Sequence, residues 1–139
     1  MKKTKQLICI IAAFSIIALN ISVASASTKA SDQISVFGMD VSTSKGSIDI
    51  EFSVMGVDTV DKLGCQSIYI YKQVGNSWYF VENVLEDEPG MSSTNTFTHT
   101  NLICRPGTAG VKYKVIVTIF AENSAGRDSR GQIFYVTGR

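Results

Sequence analysis

Residues 111–121 read Val-Lys-Tyr-Lys-Val-Ile-Val-Thr-Ile-Phe-Ala, and this stretch decides the fold class. Apolar side chains recur at every second position, so one face of an extended strand carries Val111, Tyr113, Val115, Val117, Ile119 and Ala121. The other face includes Ile116 and Thr118, which are branched at the β-carbon and favour strands. Alternation with a period of two is typical of a β-strand, whereas an amphipathic helix repeats after roughly 3.6 residues. The stretch therefore predicts a strand with one buried face.

The flanking sequence repeats this pattern in shorter segments. Extended character marks residues 34–41, 47–55, 66–73, 78–84, 94–103 and 132–137, and alternation is cleanest in the second of these. Turn formers such as Gly75-Asn76 and Pro106-Gly107 separate the segments. About seven short antiparallel strands with turns between them predict an all-β domain over residues 34–139, built as a two-sheet sandwich.

The N-terminus has the pattern of an export signal. Lys2, Lys3 and Lys5 precede an apolar run over residues 7–19, and Ala24-Ser25-Ala26 supplies small residues for cleavage. The run is shorter than the ~20 apolar residues of a transmembrane helix. We therefore predict a signal peptide over residues 1–26, a short linker over 27–33 and a secreted product free of the membrane, with an uncleaved anchor as the alternative.

Composition narrows the possible functions of the mature chain. Its length of 113 residues, 139 less the 26 of the signal peptide, suits one domain. It has ten basic and twelve acidic residues. The basic residues are scattered singly rather than in a stripe, which argues against nucleic-acid binding. His99 is its one histidine, and no phosphate loop or paired cysteine and histidine motif accompanies it. The sequence predicts a protein that is not an enzyme.

Two motifs resemble known protein families. The motif Gly110-x-x-Tyr113-x-Val115-x-Val117, continued by Ala121-Glu122-Asn123-x-x-Gly126, resembles the sixth-strand region of fibronectin type III domains. The resemblance implies an immunoglobulin-like sandwich of about seven strands, in which the hydroxyl of Tyr113 bonds to the backbone upstream. Asp61-Lys62-Leu63-Gly64, Ile68-Tyr69-Ile70-Tyr71 and Gly107-x-x-Gly110-x-x-Tyr113 are similar to segments of small secreted proteins of Gram-positive anaerobes that carry a domain of unknown function. That resemblance implies export by a Gram-positive bacterium.

Three polar segments are expected to meet at one end of the sandwich, because connections between strands alternate between its two ends. Segments 57–64, 85–93 and 123–130 carry a set of carboxylates that would then converge, namely Asp58, Asp61, Glu86, Asp87, Glu88 and Asp128. Oxygen ligands from separate loops are what Ca²⁺ requires, so calcium is the one cofactor to consider. The alternative is that these residues are solvated loop charges.

Surface recognition is the leading functional hypothesis. Trp78 beside Tyr69 or Tyr71 would form an aromatic platform for a protein or a carbohydrate, whereas burial between the sheets is the alternative for Trp78. Arg127 lies in the last of the three loops, where many sandwich domains hold partners. We expect a monomeric, non-catalytic binding module for a protein or surface glycan, and the rival is a structural envelope protein without a discrete ligand.

The two cysteines of the mature chain, Cys65 and Cys104, invite a disulfide in an exported protein. The strand order argues against the bond. Three successive antiparallel strands lie between the two cysteines, which places them at opposite ends of the sandwich. A disulfide needs Cα atoms within about 7 Å. An extra short strand in 85–93 would permit it; otherwise we expect two buried free thiols.

Overall fold

A computed structural model describes residues 33–139. The predicted signal peptide, and the predicted linker up to residue 32, lie outside the described residues. Within residues 33–139 there is no helix with the length and apolar character needed to cross a membrane.

The described chain is all-β, as the alternation predicts, and contains six antiparallel strands and no helix. The strands are β1 (Ile34–Ser44), β2 (Ser47–Val74), β3 (Ser77–Leu85), β4 (Ser92–Pro106), β5 (Lys112–Asn123) and β6 (Gly126–Thr137). The predicted turn at Gly75-Asn76 joins β2 to β3, where Val74 pairs with Ser77. Gly75 has a φ of 61°, a left-handed conformation that glycine adopts at little cost.

Strand β2 is 28 residues long and organises the sheet. Its first half pairs with β1 on one side and β4 on the other, and its second half pairs with β3 and β5. Strand β6 then pairs with β5. The second half of β2 therefore lies in a group of four strands in the order β3, β2, β5, β6.

The predicted loop 57–64 is instead part of β2, so separate strands at 47–55 and 66–73 are replaced by a single long one. The reason lies in backbone pairing and burial. Lys62 pairs with Thr94 of β4 and with Glu122 of β5, and the side chains of Val60 and Leu63 are buried. The polar residues Asp58 and Asp61 suggested a loop, but they lie exposed along a strand. Most of segment 123–130 is likewise strand β6 rather than loop.

One apolar core holds the strands together. The alternating residues of β2 and β5 are fully or almost fully buried in it, among them Ile48, Ile50, Phe52, Val54, Ile68, Ile70, Val115, Val117 and Ile119. The predicted inward face of 111–121 is thus confirmed from Tyr113 to Ala121. Each such side chain contributes roughly 1.5–3 kcal/mol on burial, which makes this cluster the main source of stability.

The hydroxyl of Tyr113 accepts a hydrogen bond of 2.8 Å from the backbone N–H of Thr108, five residues upstream. This is the bond that the resemblance to fibronectin type III domains implies for Tyr113. The ring itself is only 4% exposed. The interaction fixes the connection between β4 and β5, and hence the start of β5.

Both cysteines are free. Cys65 is buried opposite Ile119 in the second half of β2, whereas Cys104 is exposed opposite Asp49 in the first half. The argument against a disulfide agrees with this arrangement. The expectation that both thiols are buried is wrong for Cys104, because its side chain faces Asp49 and Ser47 of β2 rather than core residues.

Candidate functional site

A row of side chains crosses all four strands of the second half of the sheet. Register pairs Phe80 of β3 with Tyr71 of β2, Tyr71 with Lys114 of β5, and Lys114 with Tyr135 of β6. Paired residues of antiparallel strands point to the same face. That face is the one opposite the core, because the intervening residues Ile70 and Val115 are buried in the core.

Trp78 joins this row, two residues before Phe80 on β3. Its ring lies 5.7 Å from that of Tyr135, centroid to centroid, although β3 and β6 are the outer members of the four strands. The rings of Tyr71 and Phe80 meet edge-on at 5.9 Å. Trp78 is half-buried and is not part of the core, and the ring that it contacts is that of Tyr135. We call Tyr71, Trp78, Phe80, Tyr135 and Lys114 the aromatic face.

Lys114 lies at the centre of the aromatic face. Its ammonium nitrogen is 4.8 Å from the ring centroid of Tyr71 and 5.2 Å from that of Trp78, and the residue is only 6% exposed. No ion pair and no side-chain hydrogen bond within residues 33–139 neutralises this charge. Burial lowers the pKa of Lys114, because desolvation disfavours the charged form.

The outer rings of the aromatic face are open to solvent. Tyr135 is 66% exposed and Phe80 is 55% exposed, so the described chain leaves them uncovered. Tyr69, also named from the sequence, is half-buried two residues before Tyr71 on the same side of β2. Burial raises the pKa of Tyr71, and the neighbouring Tyr69 raises it further. An aromatic patch with polar tips at the surface is a recognition feature.

A second cluster lies towards the other end of β5. Arg127 donates hydrogen bonds of 2.8 and 3.1 Å to the two carboxylate oxygens of Glu86, and another of 3.2 Å to Glu122. Its guanidinium carbon lies 4.1 Å from the ring centroid of the buried Phe120. Lys62 adds an ion pair of 2.9 Å to Glu86. We call Lys62, Glu86, Glu122 and Arg127 the ionic cluster.

The ionic cluster joins residues of segments 57–64, 85–93 and 123–130, although the first and most of the last are strands rather than the expected loops. Its electrostatics differ from those of a metal site, because the carboxylates face the chain's own cations. Hydrogen bonding by Arg127, supported by Lys62, lowers the pKa of Glu86 to about 2. Arg127 is therefore a structural cation here, and its guanidinium is already occupied.

The remaining acidic residues named from the sequence are dispersed. Asp87 pairs with Lys62 at 2.9 Å, and Asp128 is buried against Arg130. The carboxylate of Glu88 accepts a hydrogen bond of 2.6 Å from the backbone N–H of Leu85. Over residues 33–139 no group of three or more histidine, cysteine, aspartate or glutamate side chains is placed to hold a metal ion. Calcium binding stays a prediction, and this geometry does not add to it.

His99 has a structural environment. Its Nε2 donates to the carbonyl oxygen of Gly90 at 2.8 Å, so its Nδ1 accepts from the hydroxyl of Ser93 at 2.7 Å. The ring also stacks on that of Phe52, with centroids 5.7 Å apart. These contacts fix the tautomer and hold the loop before β4 against the sheet.

Sequence reasoning named Trp78, Tyr69 and Tyr71 but missed Lys114, Phe80 and Tyr135. The missing signal was the register of four strands, which places residues 80, 71, 114 and 135 in one row. Comparison with known proteins adds no guide to this site, since no protein-family model and no curated protein matches the chain.

Proposed function

We propose that this protein is a secreted, non-catalytic binding module that recognises a protein or surface glycan through its aromatic face. The supporting observation is the row Phe80, Tyr71, Lys114 and Tyr135, completed by Trp78. Large rings that end in hydroxyl and indole N–H groups contact apolar and polar parts of a ligand together, at a low cost in conformational entropy. The aromatic face replaces the loop end of the domain as the recognition surface, because the ionic cluster occupies that end.

The architecture proposed for this module is an immunoglobulin-like sandwich of two layers. Counting the two halves of β2 separately gives seven strands, with β1, the first half and β4 in one layer and β3, the second half, β5 and β6 in the other. A single core between the layers and the Tyr113 bond support this arrangement. The outer surface of the four-stranded layer is then a continuous platform. The export pattern at residues 1–26 and the resemblance to secreted Gram-positive proteins support action outside the cell.

The test is retention of the purified protein by cell-envelope material, measured by co-sedimentation. Replacing two exposed rings, as Phe80→Ser with Tyr135→Ser, should weaken retention by about tenfold or more, because aromatic anchors supply most of the binding free energy. Tyr79→Ser is the matched control, since Tyr79 is 52% exposed on the same strand but on its other side. Equal retention of the double variant and the wild type would contradict the proposal. Absence of any retention would contradict the proposal of a partner at the cell surface.

A further inference from the structure

We propose that the aromatic face binds a carbohydrate chain that carries carboxylate groups, that is, a polymer of uronic acids, and that Lys114 pairs with one of those carboxylates. This inference rests on the proposed function and specifies its ligand. The observation behind it is the ammonium group of Lys114, which is buried near the rings of Tyr71 and Trp78 and has no carboxylate partner within residues 33–139.

The charge argument begins with Lys114 itself. The residue is 6% exposed, and its ammonium group faces Tyr71 and Trp78 rather than a carboxylate. A buried charge without a counter-ion is unfavourable, and the rings compensate for the lost water only in part. An anionic ligand group at this point would supply the missing partner, and the low local dielectric would strengthen the pair.

The surroundings carry the same sign of charge. Segments 69–73, 78–80, 112–116 and 133–137, which form this part of the four strands, contain no aspartate or glutamate, and the lysines on the side of the aromatic face are Lys112 and Lys114. Lys112 lies two residues before Lys114 on the same side of β5 and is exposed. The patch is therefore positive, although the mature chain as a whole has more acidic than basic residues. Charge complementarity selects an acidic ligand here.

The rings favour a sugar over an acidic peptide or a phosphate polymer. Sugar rings present C–H faces that pack on aromatic rings, and their hydroxyls can bond the tips of Tyr71 and Tyr135 and the indole N–H of Trp78. The row from β3 to β6 spans three strand spacings, roughly 14 Å. A surface of that length suits several linked sugars rather than one. A phosphate polymer would use the charge but not the rings.

Trp78 provides a direct readout, because it is the single tryptophan of the chain. The experiment is a fluorescence titration of the purified protein with oligogalacturonate and with its fully methyl-esterified form, which keeps the sugar rings but lacks the negative charges. We expect the acid to shift the Trp78 emission and to bind about tenfold or more tightly than the ester. Lys114→Met should remove this preference, and the matched control Lys72→Met, at an exposed position on the other side of β2, should change the affinity for the acid by no more than about twofold.

Each alternative outcome has a defined meaning. Equal binding of acid and ester by the wild type, a comparison that needs no variant, would overturn the role of Lys114 while leaving the aromatic face as a glycan site. A response to polyglutamate or inorganic polyphosphate but to neither saccharide would overturn the carbohydrate assignment. No response to any probe, together with unchanged envelope retention by the Phe80→Ser, Tyr135→Ser variant, would overturn the proposed function as well.

Discussion

Two cations, Lys114 of β5 and Arg127 of β6, lie on the same face of the sheet, and each packs against aromatic side chains. Lys114 faces Tyr71 and Trp78 near the start of β5, and Arg127 covers Phe120 near its end. They differ in their counter-ions. Arg127 has the carboxylates of Glu86 and Glu122, whereas Lys114 has none within the described residues.

We propose that this difference separates a cation that serves stability from one that serves recognition. A cation whose hydrogen-bonding directions are filled by its own chain stabilises the fold and has little left for a ligand. A desolvated cation without an anion costs free energy in the unliganded protein, and such costs are typical of binding sites. The comparison predicts opposite effects of removing the two charges.

The largest effect is expected from Arg127→Met. This variant leaves Glu86 with Lys62 alone and should lower the free energy of unfolding by about 3 kcal/mol, as for other broken, partly buried ion pairs. Urea denaturation measures it. The matched control is Arg105→Met, whose partner Glu82 lies 3.2 Å away at a more exposed site, with an expected loss below about 1 kcal/mol. Similar losses from both variants would contradict a special role for the ionic cluster.

The pH dependence of stability sharpens the same contrast. The pKa of Glu86 is about 2 in the folded protein and about 4.3 in an unfolded chain, so its contribution is complete above about 4.3 and is lost as pH falls towards 2. We expect a loss of about 2 kcal/mol across this range, since partial exposure screens the pair. Glu86→Gln should flatten this part of the profile of unfolding free energy against pH. An unchanged profile in Glu86→Gln would assign the acid sensitivity to other carboxylates.

Lys114→Met is expected to act in the opposite direction. It keeps the apolar stem, removes the desolvated charge and gives up the cation–π contacts, with a net gain of about 1 kcal/mol in stability. Lys112→Met, at an exposed position beside it, should change stability by less than about 0.5 kcal/mol. Thermal unfolding without ligand measures both variants. Destabilisation by Lys114→Met would show that this lysine serves the fold.

The smallest effect is expected from calcium. Because Lys62 and Arg127 already neutralise the carboxylate of Glu86, millimolar Ca²⁺ should leave the unfolding temperature unchanged. A rise in Tm that increases with calcium concentration would instead support the metal site predicted from the loops.

The sequence was sufficient where a local pattern controls the structure. Alternation in 111–121 and 47–55 predicted strands and their buried faces, and Gly75-Asn76 predicted the β2–β3 turn. The alternation of connections between the two ends of the domain also led us to expect Glu86 near Arg127, and the two side chains are hydrogen-bonded.

It was insufficient where structure depends on pairing between distant strands. Asp58 and Asp61 predicted a loop, but backbone pairing with β4 and β5 keeps that segment in β2. Lys114 looks like an ordinary surface lysine until the register places Tyr71 and Trp78 beside it. Its burial arises from neighbours that are more than 20 residues away in the chain, so no local signal reveals it.

The dissociation constants of the Lys114→Met and Arg127→Met variants for oligogalacturonate, measured by Trp78 fluorescence at a temperature where both are folded, test the division of roles most directly. We predict that Lys114→Met weakens binding by about tenfold or more, while Arg127→Met stays within about twofold of the wild type. Weaker binding by Arg127→Met together with unchanged binding by Lys114→Met would contradict this account.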